Sequence, residues 1–240
     1  MAGRFQNKLV LVAGGTGGLG RAVSMAFLQE GARVAVTFRA QEEFDALKSS
    51  AGQEASLLIG QNVDVTNDDA VMKMVESILA KHGRIDVLVN TVGGYNAGKK
   101  FWEQDTKVLD KMLSLNLRSG WTLARAVVPA ILKQGEGAIV NVAAKAALDA
   151  PAGAAAYAAS KAAAIAMMNS LAADLKGTGV RVNSVLPSII DTEPNRKSMP
   201  NADFAKWPKP ADIARVILFL CSEDARVIRG ASIPVYGDSV

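Results

Sequence analysis

The run Leu9-Val10-Leu11-Val12 passes directly into Ala13-Gly14-Gly15-Thr16-Gly17-Gly18-Leu19-Gly20 and then into Arg21-Ala22-Val23-Ser24-Met25-Ala26-Phe27. A strand, a turn with glycines at positions 14, 18 and 20, and a helix are thus joined without a spacer. Glycine permits a tight turn and lets backbone approach a pyrophosphate, while the helix N-terminus offers free N–H groups and partial positive charge. Such a glycine pattern is informative only between a strand and a helix, and here it joins the first strand to the first helix of a repeating series. It reads as a dinucleotide-binding turn.

The series alternates short apolar runs with helical stretches. Strands are expected at Lys8–Ala13, Arg33–Phe38, Ser56–Asn62, Ile85–Asn90, Ala138–Val142, Val180–Leu186 and Ser232–Tyr236, with helices such as Arg21–Glu30 and Asn67–His82 between them. In the second helix Asn67 can cap, Asp68 and Asp69 favour the positive end of the dipole, Val71, Met74, Val75 and Ile78 form one stripe, and Gly83 stops it. This is the pattern of an α/β chain: a single-domain, Rossmann-type, doubly wound parallel sheet of seven strands with helices on both faces. No composition break divides residues 1–240. The breaker-rich stretch Pro187–Pro210 reads as a long loop, a substrate lid over about 188–210 carrying a short helix.

Half of the 240 residues are apolar, enough for a large core, and 27 Lys and Arg against 23 Asp and Glu give a scattered net charge of +4. That balance gives no footprint for nucleic acid or a membrane surface. The alanine-rich stretch Ala143–Met168 is interrupted by Lys145, Asp149, Pro151 and Lys161, so no transmembrane helix is expected, and the polar start gives no secretory signal. One cysteine and one histidine leave no disulfide framework, no zinc cluster and no Ser-His-Asp or Cys-His triad. A single cysteine fits a reducing cytoplasm. His82, Cys221 and the methionines read as helix-end and packing residues.

Tyr157 and Lys161 stand four apart, so a helix sets a phenol and an ammonium on one face. A tyrosine titrating near ~10 is a weak acid–base group at neutral pH, and an adjacent cation lowers that value.

In order along the chain, Gly14-xxx-Gly18-x-Gly20, Asp64-Val65, Asn90-Thr91-Val92-Gly93, Asn116, Tyr157-xxx-Lys161, Asn183…Pro187-Ser188-Ile189-Ile190-Asp191-Thr192 and Gly230-Ala231…Tyr236-Gly237 resemble the short-chain dehydrogenase/reductase family over essentially the whole length. Ala13 replaces the threonine that opens the family's glycine fingerprint. The resemblance implies a nicotinamide-dependent oxidoreductase. Tyr157 would be its general acid, Lys161 would lower the tyrosine pKa and hold the nicotinamide ribose, and Asn116 would organise a water relay. It places Gly14, Thr16, Gly18, Leu19, Gly20, Asp64, Val65, Asn90, Thr91, Val92, Gly93, Pro187, Ile190 and Thr192 around the cofactor, with Asp64 and Val65 at adenine and the 90–93 turn under the adenosine ribose. An acid at the end of the second strand binds the ribose hydroxyls of NAD, and a base pairs with the phosphate of NADP. Phe38 holds the acidic position here, Arg39 follows, Thr16 offers a hydroxyl donor, and no carboxylate comes before Glu42. NADP(H) is therefore expected, with NAD(H) the alternative and a solvated Arg39 the plainer reading. The family also implies homo-tetramers or homo-dimers.

The family's serine, thirteen residues before the tyrosine, is Ala144 here, and Ala143 beside it carries no donor either. Losing one oxyanion donor typically costs about 2.7–4 kcal/mol, or 10²–10³ in rate. A substrate that forms no alkoxide escapes that cost. Ala144-Lys145-Ala146-Ala147-Leu148-Asp149 and Asp191-Thr192…Asn195-Arg196-Lys197-Ser198-Met199-Pro200…Phe204…Trp207 resemble the dihydropteridine reductase branch, which also lacks the serine and reduces a quinonoid dihydropterin at nitrogen. The chain departs from that branch at Phe38-Arg39, where an acid is usual, and at Asn183–Pro187. Phe204 and Trp207 read as faces for a flat heterocycle or as lid anchors, and Arg196 and Lys197 as solvated cations. The alternatives are a carbonyl reductase with a substrate-compensated site and a non-catalytic NADP-binding sensor or scaffold.

Overall fold

The computed structural model describes residues 3–239. Seven parallel strands form one sheet: β1 (Leu9–Ala13), β2 (Arg33–Phe38), β3 (Leu58–Asn62), β4 (Val87–Asn90), β5 (Glu136–Val142), β6 (Gly179–Pro187) and β7 (Ser232–Val235). Their spatial order is β3-β2-β1-β4-β5-β6-β7. The order reverses direction between β1 and β4, which opens a crevice at their carboxyl ends, where ligands bind in open α/β sheets.

The helices are α1 (Gly18–Gln29), α2 (Gln41–Ser50), α3 (Asp68–His82), α4 (Thr106–Leu113), α5 (Ser119–Gln134), α6 (Ala146–Asp149), α7 (Ala155–Asp174), α8 (Glu193–Ser198) and α9 (Pro210–Cys221). Val10 and Val12 of β1 face α1 and α9 through Val23, Phe27, Ile213 and Ile217. Leu9 and Leu11 face α3, α5 and α7 through Val75, Ile78, Leu123, Val127 and Met168. Because β1 is covered on both sides it is fully buried, and its sequence is a continuous apolar run rather than an alternation.

Cap chemistry at α3 follows the sequence reading. Asn67 accepts a bond from the Ala70 N–H at 3.0 Å, and Gly83 closes the helix at φ 78°. Two strands start later than their composition suggests. Residues Gly52–Leu57 wind into a 3-10 turn before β3, and Ile85 precedes β4. The stretch after β6 is more ordered than a loop: it holds α8 and a 3-10 turn at Phe204–Lys206.

Candidate active site

Three main-chain segments meet at the crevice. The Gly14 N–H donates to the Thr37 hydroxyl of β2 at 2.9 Å, and the Thr91 hydroxyl donates to the Ala13 carbonyl at 2.7 Å. Gly14 has φ +72°, and a Cβ on Gly20 would lie 2.0 Å from the Gly14 oxygen. A side chain at Gly14 would strain a left-handed backbone, and one at Gly20 would collide with main chain. Helix α1 begins at Gly18 with no side-chain cap and no acid in its first turn, so its leading N–H groups and positive dipole end are uncompensated. That is a fit for a dinucleotide pyrophosphate. Leu19 beside them is a core residue.

At the end of β2 the side chain of Phe38 is buried and stacks on Phe44, 4.7 Å between ring centres, so it packs rather than presents a polar group. Arg39 is exposed and stands 3.6 Å from Asp64. The Asp64 carboxyl lies below its usual range, chiefly because it accepts bonds from the Thr66 N–H and hydroxyl, with Arg39 adding to the effect. Val65 is buried in the core facing α3. The Thr16 hydroxyl is already engaged, donating to Glu43 at 2.9 Å. Glu43 therefore lies closer to the glycine turn than the sequence reading allowed.

Tyr157 and Lys161 lie one turn apart on α7. The Lys161 ammonium is buried and donates to the Val142 carbonyl at the end of β5, 2.8 Å away. Burial pushes its pKa down to about 8. Tyr157 moves the other way: burial, assisted by the neighbouring Tyr95, pushes it up to about 12. The expected lowering by Lys161 is not among the influences acting on the phenol here, where burial comes first and Tyr95 second. One of the three ammonium donors is engaged by a main-chain carbonyl, and desolvation is the largest influence on the phenol.

Asn116 sits in a π-helical turn, Ser114–Arg118, between α4 and α5. Its Oδ1 accepts from the Gly94 N–H at 2.8 Å, and its Nδ2 donates to the Ser160 hydroxyl at 2.9 Å. A Cβ on Gly93 would lie 2.9 Å from Asn116 Oδ1 and 3.1 Å from Lys161 Nζ. The Asn90–Gly93 turn, Asn116 and Lys161 are thus brought into one cluster. Asn90 donates to Asn141 across the sheet at 3.0 Å and accepts from the Val92 N–H at 3.2 Å. Ala143 and Ala144 are both buried, two side chains without a donor just past Val142.

The segment after β6 closes over the glycine turn. A Cβ on Gly18 would lie 2.9 Å from the Thr192 methyl carbon. Pro187 ends β6 and its carbonyl accepts from the Lys145 N–H, while Ile190 packs against the core. Arg196 is not a free cation: it pairs with Asp191 through two bonds, the second at 2.8 Å, and lies over the Phe204 ring at 4.8 Å. Lys197 pairs with Glu193 at 2.6 Å. Trp207 is buried, with Phe204 4.9 Å away, so it anchors the segment.

Sequence reasoning missed Tyr95, whose ring lies 4.9 Å from that of Tyr157 at 79°. No periodicity marks a loop residue, and only its place two residues past the 90–93 turn could have drawn notice. Among the described residues no group of acids, His or Cys could hold a metal ion, and no helix is long and apolar enough to cross a membrane.

The short chain dehydrogenase family model matches residues 8–203. The 3-oxoacyl-acyl-carrier-protein reductase FabG of Thermotoga maritima is 32% identical, covering 99% of each chain. The meso-2,3-butanediol dehydrogenase of Serratia marcescens is 34% identical over 98% of this chain and 95% of its own. A solved structure described as ElxO with NADP bound superposes with a TM-score of 0.90 at 27% identity, covering 96% of this chain and 97% of that one. Fold, glycine turn and full-length similarity converge: the chain belongs to the short-chain dehydrogenase/reductase family, the NAD(P)-dependent oxidoreductases that act on small molecules.

Proposed function

We propose that the protein is an NADP(H)-preferring reductase of a flat, conjugated substrate of the quinonoid dihydropterin type, with Tyr157 as the proton donor. The observation that carries this reading is the buried pair Ala143 and Ala144 just past the Val142 carbonyl that holds Lys161. A ketone gathers charge on oxygen as it is reduced and needs a donor there, whereas reduction at a ring nitrogen of a conjugated system spreads that charge and needs only a proton.

The residues that would hold the cofactor are Gly14, Thr16, Gly18 and Gly20 for the pyrophosphate, Arg39 and Asp64 for the adenosine, and Asn90–Gly93, Pro187, Ile190, Thr192, Tyr157 and Lys161 for the rest, while Leu19, Phe38 and Val65, whose side chains are packed, would contribute through their main chain. A bound nicotinamide supplies the hydride. Tyr157 keeps its proton at neutral pH because burial disfavours the phenolate, and releases it to the substrate nitrogen as charge develops there. Turning the Lys161 ammonium from Val142 toward Tyr157 would favour the phenolate left behind. Asn116 braces both by fixing Gly94 and Ser160. Arg39 is the exposed cation available to a 2′-phosphate, and the similar ElxO structure carries NADP.

Residues 188–210 act as the substrate lid of one catalytic unit. The Arg196–Asp191 pair and the Phe204–Trp207 contact stiffen it. A groove of about 1250 Å³ between α4, α5 and α7, with Leu113, Leu117, Trp121 and Met167 among its lining, supports a homo-dimer or homo-tetramer packed through these helices. The one cysteine, buried at the end of α9, suits a reducing cytoplasm.

A second reading, a carbonyl reductase, is favoured by the names of the relatives, among them a 3-oxoacyl reductase and a butanediol dehydrogenase. Oxidation of NADPH and NADH by the purified protein with quinonoid dihydropterin and with a panel of ketones separates the two. Turnover of dihydropterin well above any ketone supports the first, and ketone turnover at the higher rate overturns it. Tight NADPH binding with no turnover of either would point to a sensor.

A further inference from the structure

Tyr95 touches the proposed acid but belongs to none of the segments assigned above to the cofactor or the lid. It stands on the loop after β4, and 72% of it is exposed. The loop around it is nonetheless fixed at two points. Asn116 holds Gly94 on one side through the Gly94 N–H at 2.8 Å and the Gly94 carbonyl at 3.1 Å. On the other side the Gly98 N–H donates to the Gly153 carbonyl at 3.1 Å, and Gln104 donates to the same carbonyl at 3.3 Å. Gly153 belongs to the turn that enters α7, the helix bearing Tyr157. Between these clamps the Tyr95 ring meets the Tyr157 ring edge to face at 4.9 Å. A large aromatic ring is thereby held in contact with the phenol while most of its surface stays open to solvent.

We infer that Tyr95 determines the specificity of the site: its ring forms the wall that seats a flat, conjugated ring beside the Tyr157 hydroxyl and screens that hydroxyl from water. The inference rests on the reading of a planar substrate proposed above. Screening makes a second, substrate-independent consequence. With Tyr95 in place Tyr157 is desolvated and feels the neighbouring phenol, and both influences raise its titration. Removing the ring relieves both.

The test uses Tyr95→Ala and Tyr95→Phe in the full chain, and an exposed side chain of this kind can be truncated without threatening the fold. Tyr95→Ala is expected to raise KM for dihydropterin about three- to tenfold, the range of a lost aromatic contact, with kcat less affected and no comparable rise in KM for a small acyclic ketone, which has no ring to seat. Tyr95→Phe keeps the ring and should restore KM. The chain has only three tyrosines, so phenolate absorbance can be followed residue by residue. Tyr157, read as the difference between each protein and its Tyr157→Phe partner, should begin to ionise at lower pH in Tyr95→Ala and shift less in Tyr95→Phe. An unmoved Tyr157 titration in Tyr95→Ala overturns the inference even if no substrate is turned over. A moved titration with no dihydropterin turnover by the unsubstituted protein sinks the pterin reading alone and leaves Tyr95 as the screen of Tyr157.

Discussion

The Lys161 ammonium donates to the Val142 main-chain carbonyl at 2.8 Å. That bond links the helix carrying Tyr157 to the strand end where Ala143 and Ala144 follow, so the proposed acid and the two side chains without a donor are tied to one corner of the fold. It also separates two effects. Burial, with Tyr95 adding to it, raises the Tyr157 titration, and under the proposed mechanism the Lys161 ammonium would offset it.

Tyr157→Phe removes only the hydroxyl. Turnover is expected to fall about 10²–10⁴-fold, the usual worth of a placed proton donor, while NADPH binding followed by fluorescence stays at the unsubstituted level. Retained turnover would remove Tyr157 from the reaction.

Lys161 gives a signed pH effect on stability. Its pKa is about 8 in the fold against 10.5 for the free side chain. Below pH 8 both states bind the proton, and the buried charge weighs against the fold. Between 8 and 10.5 the unfolded chain keeps a proton that the folded chain has released, so stability rises with pH across that window. The gain is at most about 3 kcal/mol. Urea denaturation from pH 7 to 10.5 should show this rise relative to Lys161→Met, and parallel curves for the two proteins would contradict it.

Arg39→Asp exchanges a cation for the acid that suits a ribose hydroxyl. The NADPH to NADH ratio of kcat/KM should drop about 10–100-fold, the worth of a charge-assisted bond. Glu43→Gln, which removes a carboxylate from beside Thr16, should move the ratio the other way. Unchanged ratios in both would mean that neither residue reads the adenosine end.

Gly20→Ala would force a Cβ to within 2.0 Å of the Gly14 carbonyl oxygen. Because the obstacle is backbone, the strain has no side chain to absorb it, and a loss of about 3 kcal/mol in denaturation is expected together with weakened NADPH binding.

Much of this was legible beforehand for identifiable reasons. β2 spans Arg33–Phe38 as read, because a β-branched run bounded by Gly31 on one side and the polar Arg39 on the other leaves little freedom. The caps of α3 follow from Asn67 and Gly83, whose local chemistry needs no tertiary help. The position of Asn116 was readable but its π-turn was not, since that turn answers to Gly94 and Ser160 from distant segments. Phe38 was readable as the residue at the strand end. That it stacks on Phe44 rather than facing the crevice depends on how α2 folds back over the sheet. Spacing placed an ammonium one turn from Tyr157 but could show neither its bond to the Val142 carbonyl nor the burial and the Tyr95 ring that raise the phenol.

The proposed substrate class depends on the missing donor at Ala143 and Ala144, and installing a hydroxyl there tests it most directly. In Ala144→Ser, kcat/KM for a simple ketone should rise toward the 10²–10³-fold worth of an oxyanion donor while that for quinonoid dihydropterin changes little. An equal gain for both substrates, or none for the ketone, would contradict it.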